Sequence, residues 1–244
     1  MWRTCSSRLT VVLLLSYGSA FAAAPRAPSE CAATLLGHAP SAIRDGVCSS
    51  VVSDPRADLG LIGERIYRLD SCAASPPPLA WFYFRDGACR LISGNVPYIT
   101  GAKFPLELAE QFAVNELNRL FVEMKSESVR PSDVLAHALA VLRMARPFVQ
   151  QQPIASLSDV PATQSTTKRD RRRLASLRGA VSPPRIADTG TVSFVSFYVW
   201  TDPGGVIERV DALVWPDGRI GYTTTRLIDG VGAYTAKTFI PRVP

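Results

Sequence analysis

Residues 191–228 read TVSFVSFYVWTDPGGVIERVDALVWPDGRIGYTTTRLI. Three β-branched and aromatic runs, Thr191–Trp200, Val206–Trp215 and Arg219–Ile228, are separated by Asp202-Pro-Gly-Gly and Pro216-Asp-Gly. Such runs, bounded by Gly, Pro and Asp, read as strands joined by tight turns. The stretch predicts an antiparallel meander, with Tyr234 to Ile240 as a fourth strand. Asp202, Asp217 and Asp229 stand at turns, and turn formation accounts for them better than catalysis does.

The turns give an expected register, with Trp200 against Val206 and Trp215 against Arg219. One face then carries Val192, Val214 and Ile220; Phe194, Ala212 and Tyr222; Trp200, Val206 and Ile228. That face is expected to meet helices. It also carries Tyr198 beside Glu208 beside Arg226. A Glu208–Arg226 cross-strand ion pair is the expected arrangement, and burying it requires that both charges be satisfied. Glu208 is also the candidate catalytic carboxylate, because an inward-facing acid is the kind of group that serves in acid–base chemistry. Trp200 and Trp215 are expected at opposite ends of the middle strand and on opposite faces, which argues for packing over a shared sugar-stacking platform.

Upstream lie two amphipathic helices. Pro105 opens a helix running from Leu106 to Lys125, with Leu106, Ala113, Leu117, Leu120, Phe121 and Met124 on one face. A second helix starts at Ser132 as N-cap and ends near Arg146, before Pro147. The short connection predicts an antiparallel helical hairpin, residues 101–149. Residues 150–189 are polar, with Gln150-Gln151-Gln152, several prolines and a basic run, and read as a linker carrying one short helix docked by Leu174 and Leu177. Residues 190–244 form the meander that packs on the helices.

Residues 23–100 contain an echo. Residues 31–48, CAATLLGHAPSAIRDGVC, and 72–89, CAASPPPLAWFYFRDGAC, are identical at eight of 18 positions. The two Cys-x16-Cys units predict the local disulfides Cys31–Cys48 and Cys72–Cys89, among three possible connectivities. Asp86-Gly87 is a two-residue hairpin turn between Trp81–Phe84 and Ala88–Ile92; Asp45-Gly46 is its weaker counterpart. The fold class is therefore α+β: a helical hairpin on a C-terminal antiparallel meander, preceded by a small disulfide-stapled region with hairpins.

Arg3 and Arg8, the apolar stretch Leu9–Phe21 and the small residues around Ala20 and Ala22 have the layout of a signal peptide, residues 1–22. The expected location after cleavage near Ala22 is periplasmic or secreted. No later stretch is long and apolar enough to span a bilayer. The preponderance of arginine over lysine, with abundant alanine and proline, suggests a bacterial source. Loss of Arg3 and Arg8 takes the net charge from +6 to +4. Lys168, Arg169, Arg171, Arg172, Arg173 and Arg178 concentrate the excess in one patch, a candidate anion-binding surface. The remainder is near neutral, so no specific nucleic-acid partner is expected.

Catalytic signatures are absent. There is no Gly-x-Ser-x-Gly, His-Glu-x-x-His, phosphate loop or Gly-x-Gly-x-x-Gly, and His38 and His137 are the only histidines. No Cys-x-x-Cys pair supports zinc, and no cofactor or metal is expected. Nothing assigns the chain to a family. The sequence points to an exported binding protein of inhibitor, immunity or scaffold type, leaning away from an enzyme, whose partner is another envelope or extracellular protein. The alternatives are a carboxylate-dependent hydrolase of cell-wall or other glycans and a module that docks on anionic surfaces.

Overall fold

The computed structural model describes residues 30–31, 52–53, 66–69, 80–85, 88–94, 106–124, 128–147, 149–161, 168–202 and 204–231. The signal-peptide region, Cys48, Cys72, His38, the first Asp-Gly turn and Tyr234–Ile240 lie outside them. The described chain is α+β, with two antiparallel sheets and three helices. One sheet has the order β1 (Val52–Ser53), β2 (Ile66–Leu69), β3 (Ala80–Arg85), β4 (Ala88–Gly94). The other contains β5 (Gln150–Ile154), β6 (Arg185–Asp188), β7 (Ser193–Asp202), β8 (Val206–Val214) and β9 (Ile220–Ile228). Its order is β5-β7-β8-β9, with β6 also paired to β7.

The meander forms where the sequence places it, because Gly205 and Gly218 supply the positive φ its turns need. The β8–β9 register agrees with expectation: Trp215 N–H donates to Arg219 O, and Glu208 lies opposite Arg226. The β7–β8 register does not. Thr201, not Trp200, pairs with Val206, and Val199, not Tyr198, pairs with Glu208. A one-residue slip turns every side chain to the other face. The inward residues of β7 are thus Val195, Phe197 and Val199, while Phe194 and Trp200 face outward. Both phases of β7 are apolar, so alternation could not select between them. Pairing of Asp202 with Gln150 extends β7 by two residues past the expected strand end.

α1 (Leu106–Met124) and α2 (Val134–Ala145) pack against both sheets. Leu117, Leu120 and Phe121 of α1 and Val134, Ala138, Val141 and Leu142 of α2 meet Val195, Phe197, Val210 and Val214. Ile66, Trp81, Tyr83 and Ile92 of the first sheet complete this core. Ser132 does not cap α2; Asp133 holds the N-cap position without a side-chain capping bond, and Ser132 Oγ donates to Asp133 Oδ1. His137 is buried, 5.2 Å from the Phe121 ring, and its Nε2 lies 2.7 Å from Gly218 O. A carbonyl only accepts, so the ring carries its proton on Nε2. Burial, opposed by that hydrogen bond, holds the His137 pKa below its usual value.

The outer face of the meander has its own core. Ile154, Val160, Trp200, Ile207 and Val231 cluster there, covered by Leu174 and Leu177 around α3 (Lys168–Ala175). The docked short helix appears as expected. The rest of the presumed linker is partly sheet, since Gln150–Ile154 and Arg185–Asp188 both pair with β7. Their composition looks like loop because both lie along one edge of β7, where polar residues and Pro153 are tolerated. Gly205 permits a close approach here: a Cβ would lie 2.3 Å from Val231 O. Trp200 Nε1 donates to that same oxygen at 2.8 Å.

The disulfide pairing corrects the echo. Cys31 is bonded to Cys89, with Cα atoms 5.3 Å apart, across a sequence separation of 58. It joins the first cysteine of one copy to the last of the other, so the two copies are not independent units. The reason lies in the sheet. Ala80 and Phe82, with Tyr67, Phe84, Cys89 and Leu91, form a second apolar face that Cys31 covers. The alternate residues Trp81 and Tyr83 face the helices. A strand buried on both sides needs a cover from elsewhere in the chain, and the crosslink ties that cover down. The strands on either side of the expected Asp86-Gly87 turn do pair, with Arg85 opposite Ala88; the two turn residues lie outside the described residues.

Candidate functional site

α1 buries one stripe and turns a neighbouring stripe toward the edge of the meander. Glu110, Val114 and Asn118 follow each other at helical i, i+4 spacing, flanked by Gln111 and Asn115. Opposite them run Ile220, Gly221 and Tyr222 of β9, with Trp215 and Arg219 from the turn before it. Together these residues line an open cleft of about 630 Å³. The Arg219 guanidinium lies 5.8 Å from the centre of the Trp215 ring, a cation–π placement. Gly221 leaves the strand bare beneath that ring, whose nearest atoms would lie 3.9 Å from a Cβ there.

Asn118 ties the helix to the strand edge. Its Nδ2 donates to Ile220 O at 2.8 Å, and its Oδ1 accepts from Ile220 N–H at 2.8 Å. Both outward backbone groups of Ile220 are thereby satisfied.

A charge cluster closes the inner end. Arg146, just beyond α2, donates from Nε to Glu110 Oε1 at 2.9 Å and from Nη1 to Glu208 Oε2 at 2.6 Å. Its Nη2 reaches Thr224 Oγ1 at 3.2 Å. The Tyr222 hydroxyl donates to the same Glu110 oxygen at 2.7 Å. Burial by itself would lower the Arg146 pKa, but the Glu110 and Glu208 carboxylates outweigh it and hold the guanidinium charged. Burial and then the Glu110 charge push the Tyr222 phenol far up, so it stays protonated and acts as a donor.

The expected Glu208–Arg226 pair is therefore corrected. The two residues are opposite in register, but Glu208 is 8% exposed while Arg226 faces solvent. The carboxylate goes to Arg146, which is on the buried side with it. Glu208 does not line the cleft; among the described residues Glu110 is the carboxylate that does. Arg146 was visible in sequence only as a charge ending the most apolar helix, a position that demands a buried partner. Glu110 and Asn118 looked like ordinary polar surface of α1.

The basic residues stay apart from this cleft. Lys168, Arg169, Arg171, Arg172 and Arg178 are exposed on and just after α3. Arg173 turns back to Asp229, with Nη2 2.9 Å from Oδ1. Arg85, one of the two echoed arginines, lies 3.6 Å from Glu123. Among the described residues no group of three or more His, Cys, Asp or Glu side chains is placed to hold a metal ion. No described helix is long and apolar enough to cross a membrane. Comparison with protein-family models, with curated proteins and with solved structures gives no match.

Proposed function

We propose that this chain is an exported binding protein that holds part of another envelope or extracellular protein in the cleft between α1 and β9. The observation that carries the reading is the chemistry of the cleft wall. It offers two aromatic rings, Trp215 and Tyr222, and three amides, Gln111, Asn115 and Asn118. Aromatic and amide groups on rigid elements suit recognition of a polypeptide. Glycoside hydrolysis by paired carboxyl groups needs two acids flanking the substrate. Here the one carboxylate in the wall already accepts from Arg146 and Tyr222. The Cys31–Cys89 disulfide is compatible with an oxidising compartment.

A photo-crosslinking residue placed at Asn115 tests the reading. The expected result is a discrete crosslinked protein from the envelope or culture medium, lost on Trp215→Ala and not formed from a crosslinker at exposed Ser158. No product at Asn115, or the same product from Ser158, rejects the cleft as a binding site. Cleavage of peptidoglycan by the purified chain, abolished by Glu110→Gln, would instead favour the hydrolase.

A further inference from the structure

Among the described residues β9 is hydrogen-bonded on one side only, to β8. In an antiparallel ladder successive residues turn their N–H and C=O groups alternately toward and away from the neighbour. Trp215 N–H bonds to Arg219 O, so 219, 221, 223 and 225 face β8. Ile220, Tyr222, Thr224 and Arg226 are out of phase with them and turn their backbone groups outward, to the side where α1 lies. At Ile220 those groups are taken by the Asn118 carboxamide, which both donates and accepts. An amide exchanging two hydrogen bonds with one residue does what a residue of an added antiparallel strand does. The side chain fills the first position of a strand that no described segment supplies. From Tyr222 to Arg226 no described element takes up the outward backbone groups.

Charge indicates what belongs there. Glu208, opposite Arg226, is committed to Arg146. Arg226 is exposed, and no carboxylate among the described residues lies within ion-pair distance of it. Arg219, at the other end of the same edge, is already held by Asp217, with Nε 2.7 Å from Oδ2, so Arg226 is the charge left to a partner there. We propose that the outward edge of β9, from Tyr222 to Arg226, binds an extended acidic segment of a partner protein as an additional strand, with Asn118 marking where that strand stops. The inference rests on the cleft being a binding site and names what the site takes. Backbone hydrogen bonds supply affinity in this mode, and the exposed Arg226 charge supplies preference.

The test uses the full mature chain and a fluorescein-labelled hexapeptide of alternating glutamate and valine. Its twin is N-methylated at every residue, and a counterpart carries lysine for glutamate. Fluorescence anisotropy should show binding of the acidic peptide, at least about tenfold weakening by N-methylation, and no comparable binding of the lysine peptide. Arg226→Glu, a surface change that leaves the thermal melt in place, should weaken the acidic peptide by about tenfold. Absence of binding by the acidic peptide overturns the proposal, as does equal binding by its N-methylated twin. Equal binding to the Arg226→Glu protein removes the acidic preference. A crosslink at Asn115 that persists when the peptide fails leaves the cleft as a binding site and discards strand addition.

Discussion

Arg146 Nη1 lies 2.6 Å from Glu208 Oε2, joining the chain just after α2 to the middle strand of the meander. Both side chains are largely buried. This contact, not the cross-strand neighbour Arg226, decides what Glu208 does. Glu208→Gln should lower stability by about 1–3 kcal/mol, because it removes the charge that Arg146 faces. Arg146→Met strands two carboxylates and should lower it by about 3–5 kcal/mol. Arg226→Gln should stay within about 0.5 kcal/mol of the parent. Urea unfolding of the three variants checks the order. A larger loss for Arg226→Gln than for Glu208→Gln would restore the cross-strand pair.

The remaining mature cysteines should be joined as Cys48–Cys72. With Cys31 bonded to Cys89, and with Cys5 inside the expected signal peptide, Cys48 and Cys72 are the two that remain. Non-reducing peptide mapping should yield that crosslinked pair, and free thiols at both positions would contradict it.

Stability should fall as pH drops through the range in which an unfolded histidine titrates. Burial depresses the folded-state pKa of His137 below its reference of 6.5. The unfolded chain therefore binds its proton first as pH falls. The His137 contribution is full above about pH 6.5 and declines below it. Glu110 of α1, Glu208 of β8 and Arg146 just after α2 lie in a separate cluster, while Phe121 and Gly218 O face the ring itself. His137→Gln keeps a donor for Gly218 and removes the titration. Chemical denaturation between pH 7.5 and pH 5 should show a shallower loss in that variant than in the parent; parallel curves would exclude His137 as the source.

The exposed bases of α3 should bind anionic surfaces in a salt-dependent way. Binding to vesicles containing phosphatidylglycerol should weaken steeply with added salt, and Arg169, Arg171 and Arg172 changed together to Ser should remove most of it. Arg173→Ser should act differently, since Arg173 is held by Asp229. It should alter the melting temperature slightly and binding little. Co-sedimentation at low and high salt decides, and no binding by the parent at low salt leaves α3 as a solvated cover over the outer core.

The helices and the tight-turn hairpins of this protein were legible in its sequence because they are local. Asp-Gly and Gly-Gly turns set the hairpins, and a periodic apolar stripe set α1 and α2. Tertiary structure decided which pieces meet. The Gln150–Ile154 strand exists because an edge of β7 was available to it, not because of its own composition. The inward face of β7 depended on one residue of register that a strand carrying large apolar residues in both phases could not specify. Cys31 found Cys89 because the second face of β3 needed covering, a demand invisible in the echoed spacing. The cleft was the least legible feature. Asn118, Glu110 and Arg146 acquire their roles only through partners 102, 36 and 62 residues away in the chain. Local physics chooses helix, strand and turn; the burial of charge and the satisfaction of edge backbone groups are settled only when distant segments pack.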